Sequence, residues 1–175
     1  MLQCDIQQCA PSLNLGGDAL PTAYLPIVGN VIDQESLIHD LLRIIRDHPE
    51  QRRKSLEFDY RLLRAAASKA LELQTLEYFL HTSPDGVAPN QLVRSAGFDL
   101  PYYYSDINNN VESLSGGQRK PEEVLNGWMK TTHKMHILAT TPFFQDHVLC
   151  GIGYSHINKG PADPAWVFLS APRET

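Results

Sequence analysis

The chain has 175 residues, enough for one domain with a core of its own. Hydrophobic residues make up 42% and charged residues 20%, ordinary for a globular protein, and the formal charge is −5. That balance gives no electrostatic case for nucleic acid. The one compact basic run, Arg52-Arg53-Lys54, reads as a solvated helix end or loop. No apolar run approaches the roughly 18 residues that a transmembrane helix needs.

The first residues, "MLQCDIQQCAPS", lack the basic and apolar regions of a signal peptide, which fits an intracellular chain or a mature, trimmed form. Of three cysteines, Cys4 and Cys9 can stay as exposed thiols or form a local bridge. Cys150 sits in an apolar strand candidate and reads as a buried, inert thiol. Residues 1–33 carry Pro11, Pro21, Pro26, Gly16 and Gly17 without a sustained period, which predicts an extended leader or linker. Residues 34–175 then form the domain.

"DQESLIHDLLRIIRDHP" places Leu37, Ile38, Leu41, Leu42 and Ile45 at helical spacing, with Pro49 as the stop. A second helix is predicted over 58–80, "FDYRLLRAAASKALELQTLEYFL", with Asp59 as N-cap and an alanine-rich stripe suited to close packing. "SPDG" at 83–86 reads as a type I turn, and "PNQLVRSAG" as a short helix ending at Gly97. "DLPYYYSDINNN" has no period, and "VESLSGG" alternates briefly. Pro121 opens the next helix, with Glu122 and Glu123 at its positive end and Val124, Leu125, Trp128 and Met129 on one apolar face. Thr132 can cap a short helix, "HKMHIL". Strands are predicted over 147–157 and 165–172. Helices first and a strand pair last make an α+β single domain.

Familiar motifs fail. Gly151 and Gly153 are not a dinucleotide fingerprint, because no helix follows them. GxxxxGK[ST], GxSxG, HExxH and paired CxxC are absent. The histidines remain. His39, His48 and His156 have no recognisable company. His81 comes just before a turn, His133 opens a short helix, and His136 lies three residues on, on the same face. Two of these imidazoles beside Glu112 can act as metal ligands or acid–base groups. They can equally hydrogen-bond neighbouring loops.

The order of the pieces carries more than any one of them. "FLHTSPDG", "NNNVESLSGG", a helix reaching "WM", "HKMHIL", "CGIGYSHI" and "AWVFLSA" together resemble the CAP superfamily of cysteine-rich secretory, antigen 5 and pathogenesis-related proteins, in its bacterial SCP-like type. The resemblance covers residues 34–172. It implies an α–β–α sandwich with a cleft in which His81, Glu112 and His133 converge. It also implies that His81 and His133 can hold a divalent metal such as Zn²⁺.

Departures stand inside that pattern: Ser113 and His136 each replace an Asn, leaving His136 either a third ligand or a surface donor, and the linker between Trp128 and His133 is one residue shorter and lacks the usual Pro-Gly. Thr131 stands where many eukaryotic members carry a second Glu. The resemblance further implies a secreted or cell-envelope binding protein for a small apolar ligand or an extracellular or cell-envelope partner, with fatty acids or sterols among the candidates. Tyr102, Tyr103 and Tyr104 offer a surface for such a ligand, unless they cover the domain's own sheet. The alternative is a metal-dependent hydrolase using His81, His133 and Glu112, with Glu112 as general base.

Overall fold

A computed structural model describes residues 31–174, with only the backbone of Val31 and Ile32. Cys4 and Cys9 lie outside the described residues. So does all but the end of the expected leader, and residues 31–33 already belong to helix α1 (Val31–Arg46). The elements that follow are β1 (Glu57–Phe58), α2 (Tyr60–Thr75), α3 (Pro89–Ser95), β2 (Glu112–Gly116), α4 (Pro121–Met129), α5 (His133–Ile137), α6 (Pro142–Gln145), β3 (Leu149–Ser155) and β4 (Ala165–Ala171).

The strands form one mixed sheet in the order β1-β3-β4-β2. β4 runs antiparallel to both β3 and β2, with Gly151 opposite Leu169 and Ser113 opposite Phe168, while β1 adds in parallel to β3. Helices cover both faces. On one, α1, α4 and α5 pack Ile38, Leu41, Ile45, Val124, Trp128 and Ile137 against Cys150, Ile152, Trp166 and Phe168. On the other, α2 and α3 pack Leu62, Ala66, Ala70, Leu73 and Val93 against Leu114, Ala165, Val167 and Leu169. Side chains alternate along a strand, so each strand serves both cores.

The two strand glycines have a packing reason. A Cβ on Gly151 would lie 2.1 Å from the Leu62 carbonyl carbon, and one on Gly153 would lie 2.1 Å from the Ala66 carbonyl oxygen. α2 therefore rests its backbone directly on β3. Its start follows the sequence: Asp59 accepts from the backbone N–H groups of Arg61 and Leu62.

Its end does not. The helix stops at Thr75 rather than at Leu80, and Glu77 takes a left-handed φ of 55°. Glu77 N–H donates to Gln74 C=O and Tyr78 N–H to Leu73 C=O, the paired bonds of a Schellman end. A glycine there would have announced it; a glutamate does not. At α5, Thr132 makes no capping bond, and Thr131 Oγ1 accepts from His133 N–H at 3.3 Å instead.

Arg53 corrects the solvated reading of the basic run. It is 7% exposed. Its guanidinium donates to the backbone carbonyls of His136 (2.6 Å), Ile137 (2.7 Å) and His147 (2.7 Å). No carboxylate pairs with it among the described residues, and burial lowers its pKa to about 10. At the end of α5 it adds a charged donor to the carbonyls of His136 and Ile137, which also accept from Ala139 N–H and Gln51 Nε2.

Candidate functional site

The early exit from α2 frees residues 76–80 to carry His81 toward the edge strand β2. The turn after it closes as expected, with Gly86 N–H donating to Ser83 C=O at 2.9 Å. Asn109 Oδ1 accepts from Glu112 N–H at 2.8 Å and so fixes the entry into β2. His81 Nδ1 then lies 2.8 Å from Glu112 Oε1, the imidazole half-open to solvent and the carboxylate fully buried. From α5, the His133 ring comes within 6.0 Å of the His81 ring, centroid to centroid, at 61° between planes. The three residues thus meet, although they are far apart in sequence.

Glu112 and Ser113 are consecutive on β2 and so point to opposite faces. Glu112 reaches His81 on the α2 side. Ser113 Oγ reaches His133 Nδ1 at 3.0 Å on the α5 side. Each imidazole is thereby tied through Nδ1, and Nε2 of each has no protein partner among the described residues. Burial, then the neighbouring His81, lowers the His133 pKa below the usual imidazole range.

Burial raises the Glu112 pKa, opposed by its bond to His81 and by the charge of Lys69. Glu112 Oε2 is buried without a hydrogen-bond partner. Lys69, itself 2% exposed, donates to Tyr78 Oη at 2.6 Å and lies 3.7 Å from Glu72. Nothing in the motifs pointed to Lys69; it lies on the alanine stripe of α2, where a cation is out of place unless an acid lies below it.

His136 is neither a third ligand nor a surface donor. It is buried, and both ring nitrogens are taken: Nδ1 by Ser113 Oγ at 2.8 Å and Nε2 by Ser170 Oγ at 2.7 Å. Ser113 and His136, both departures from the family pattern, therefore contact each other. Ser170 was legible only as a polar residue sharing a strand face with Trp166 and Phe168. Among the described residues no group of three or more His, Cys, Asp or Glu is placed to hold a metal. His81 and His133 remain as two neighbouring imidazoles, each anchored through Nδ1.

No family model matches the chain. An uncharacterized protein, YkwD of Bacillus subtilis (strain 168), is 31% identical over 109 residues. That stretch is 62% of this chain but 38% of the relative, so the chain spans well under half of the length of the protein it matches. An outer surface protein from Borrelia burgdorferi superposes with a TM-score of 0.55 at 21% identity, over 82% of this chain and 94% of its own. An extracellular protein containing a SCP domain, from Bacillus anthracis str. Ames, superposes with a TM-score of 0.61 at 14% identity, over 85% of this chain and 45% of its own.

The chain has the fold of these two structures, the SCP-domain fold of the second among them.

Within this SCP-like fold a concave feature lies apart from the His81–His133 pair. A groove of about 970 Å³ is lined by Tyr102, Tyr103, Tyr104 and Phe143, with Arg94 and Arg173 among its charged neighbours. It shares no lining residue with the His81–His133 pair. Tyr102 is 96% exposed and Tyr103 66% exposed, so two of the three tyrosines do not cover the sheet; Tyr104, at 4%, does. No helix among the described residues is long and apolar enough to cross a membrane.

Proposed function

We propose that this is a secreted or cell-envelope SCP-like binding domain whose cleft takes a polar ligand or a divalent cation between Nε2 of His81 and Nε2 of His133. The observation that carries this is the paired anchoring of the two rings. Glu112 holds Nδ1 of one and Ser113 holds Nδ1 of the other, which leaves Nε2 of two neighbouring rings without a protein partner among the described residues. A carboxylate behind an imidazole fixes its orientation and raises its basicity, the usual support of a metal-binding histidine. Two protein ligands make a weak site, with water completing the shell of a cation such as Zn²⁺. The extracellular and outer-surface descriptions of the two structural neighbours support the compartment.

The hydrolase reading loses ground on geometry. Glu112 has no solvent-facing surface and its Oε1 is engaged by His81, so it is poorly placed as a base for water in the cleft. Glu112 is a positioning residue for His81 in this reading. The test is calorimetric titration of the full chain with Zn²⁺ near neutral pH. Binding is expected in the wild type, weakening as pH falls through the imidazole range, and lost in the His81→Ala, His133→Ala double variant. Equal binding by that variant removes the assignment.

A second reading rests on the exposed Tyr102 and Tyr103. Amphipathic rings facing outward along a groove suit an apolar ligand with a polar head. Saturable binding of a fatty acid or sterol that is lost on Tyr102→Ser, Tyr103→Ser supports it. Absence of binding across such a panel ends it.

A further inference from the structure

The hydrogen bonds that begin at His133 do not stop at His136. Ser170 Oγ also lies 3.1 Å from His147 Nδ1, and His147 Nε2 lies 2.8 Å from Tyr104 Oη. Tyr104 forms part of the wall of the tyrosine groove. An unbroken line, His133–Ser113–His136–Ser170–His147–Tyr104, therefore joins the cleft to the groove through the α4/α5 side of the sheet. Ser113, Ser170 and His147 have no exposed surface, and His136 is buried.

Proton counting leaves this line two states. A neutral imidazole has one N–H and one lone pair, and a hydroxyl donates once. Ser113 Oγ has a ring on either side, so it donates to one and accepts from the other. Ser170 Oγ already accepts from Arg53 Nη2 at 3.4 Å, and its own proton goes to His136 or to His147. A direction chosen at one member is inherited by all.

In the first state Tyr104 donates to His147, His147 Nδ1–H to Ser170, Ser170 to His136 Nε2, His136 Nδ1–H to Ser113, and Ser113 to His133 Nδ1. His133 then turns an N–H toward the cleft. In the second state every bond is reversed. His133 is protonated on Nδ1, presents a lone pair from Nε2, and the Tyr104 hydroxyl proton points away from His147.

We propose that Ser113, His136, Ser170, His147 and Tyr104 are positioning residues that set which nitrogen of His133 carries the proton, and so decide whether the cleft offers His133 as a donor or as a lone pair. The free protein takes the first state, because there the Tyr104 hydroxyl proton has His147 Nε2 as its acceptor, whereas in the second it has no protein acceptor among the described residues. A cation between the two rings, as in the reading above, needs the second. Passing between them conserves protons. One leaves His133 Nε2 for solvent in the cleft, each group passes one to its neighbour, and one enters at Tyr104 Oη from the groove.

The line works by exchange of tautomers rather than by carrying an extra charge. The buried guanidinium of Arg53 sits beside it, and burial together with that cation holds His136 well below the usual imidazole range and His147 down to about 3. By linkage, a groove ligand that accepts a hydrogen bond from Tyr104 favours the cation-binding state of the cleft, and the reverse.

Nitrogen-15 NMR of the histidine rings reads the proton positions directly, in the full chain, with and without saturating Zn²⁺. Without zinc, His136 and His147 are expected to carry their protons on Nδ1 and His133 on Nε2. With zinc, His136 and His147 are expected to shift to Nε2–H although neither can touch the ion. In Ser113→Ala, zinc still perturbs His133 but leaves His136 and His147 unmoved, and Ser113→Thr restores the response. The inference is overturned if His136 and His147 hold their protons on different nitrogens in the free wild type, or if they stay unmoved while zinc occupies His133. Should zinc perturb neither His81 nor His133, the cation reading fails by itself. The free wild-type pattern then decides the positioning role, and it does so even if a variant does not fold.

Discussion

Two parts of the sheet are packed by opposite means, the α2–β3 crossing by steric contact and the α5 side by buried polar groups, although Glu112 and Lys69 are buried on the α2 side as well. On the α2 face, β3 offers glycines and α2 offers alanines, and the helix backbone settles onto the strand with no polar group between Leu62–Ala66 and Gly151–Gly153. On the α5 face, the same strands support Arg53, His136, His147 and Ser170, all buried and all hydrogen-bonded. The first face resists change by steric contact. The second depends on every donor finding its acceptor. A functional site that must hold one imidazole tautomer suits the second kind of wall, and His133 stands against it.

The largest effect that would sharpen this contrast belongs to the steric face. Gly153→Ala puts a methyl group 2.1 Å from the Ala66 carbonyl oxygen, a distance that only movement of α2 can relieve. Destabilisation of about 3 kcal/mol or more is expected by denaturant unfolding. A loss under about 1 kcal/mol would mean that α2 does not sit on β3 as closely as described.

Next comes the polar face. Arg53→Met fills similar space but removes a donor from three buried carbonyls: that of His147 is left with none, while Ile137 C=O keeps Gln51 Nε2 at 3.2 Å and His136 C=O keeps Ala139 N–H at 3.4 Å. At roughly 1–3 kcal/mol for the orphaned group, with smaller losses at the other two, a loss of about 2 kcal/mol is expected. A neutral result would show that the carbonyls find water, and would weaken the account of Arg53 at the end of α5.

The smallest effect distinguishes the faces by pH. His136 and His147 are held neutral in the folded chain, with pKa values depressed below the unfolded value of about 6.5. The unfolded chain therefore binds protons first. Stability is full above about pH 6.5 and is lost as pH falls toward 3, by at most about 1.4 kcal/mol per pH unit for each ring. Glu112, with its pKa raised by burial, works the other way: the folded chain takes up that proton first, so acid relieves its cost. Denaturation midpoints measured between about pH 7.5 and 5 should fall, and fall less steeply in His147→Gln. Identical slopes would mean that His147 titrates as an ordinary exposed histidine.

Much of the fold was legible in the chain because it is local. Period 3.6 marks α1, Asp59 and Pro121 mark helix starts, and short apolar runs mark β3 and β4. The end of α2 was not, because a left-handed glutamate leaves no sequence signal. The cleft trio His81, Glu112 and His133 was reached through motif order, and the structure brings the three together. Arg53, Lys69, His147 and Ser170 were missed for a common reason. Each is one polar residue in an ordinary-looking segment, and its meaning depends on partners that the tertiary fold brings to it.

What the sequence determined by itself was therefore most of the elements, β1 and α6 excepted, and the trio His81, Glu112 and His133 as candidates, because these are written in short-range periodicity and motif order. The tertiary structure alone decided how that trio is held. Ser113 and His136, each read singly as a departure, become joined members of one buried line only when β2, α5 and β4 are packed together. Hydrogen-bond satisfaction in a dry interior is a property of the whole set of neighbours, and no spacing along a chain encodes it.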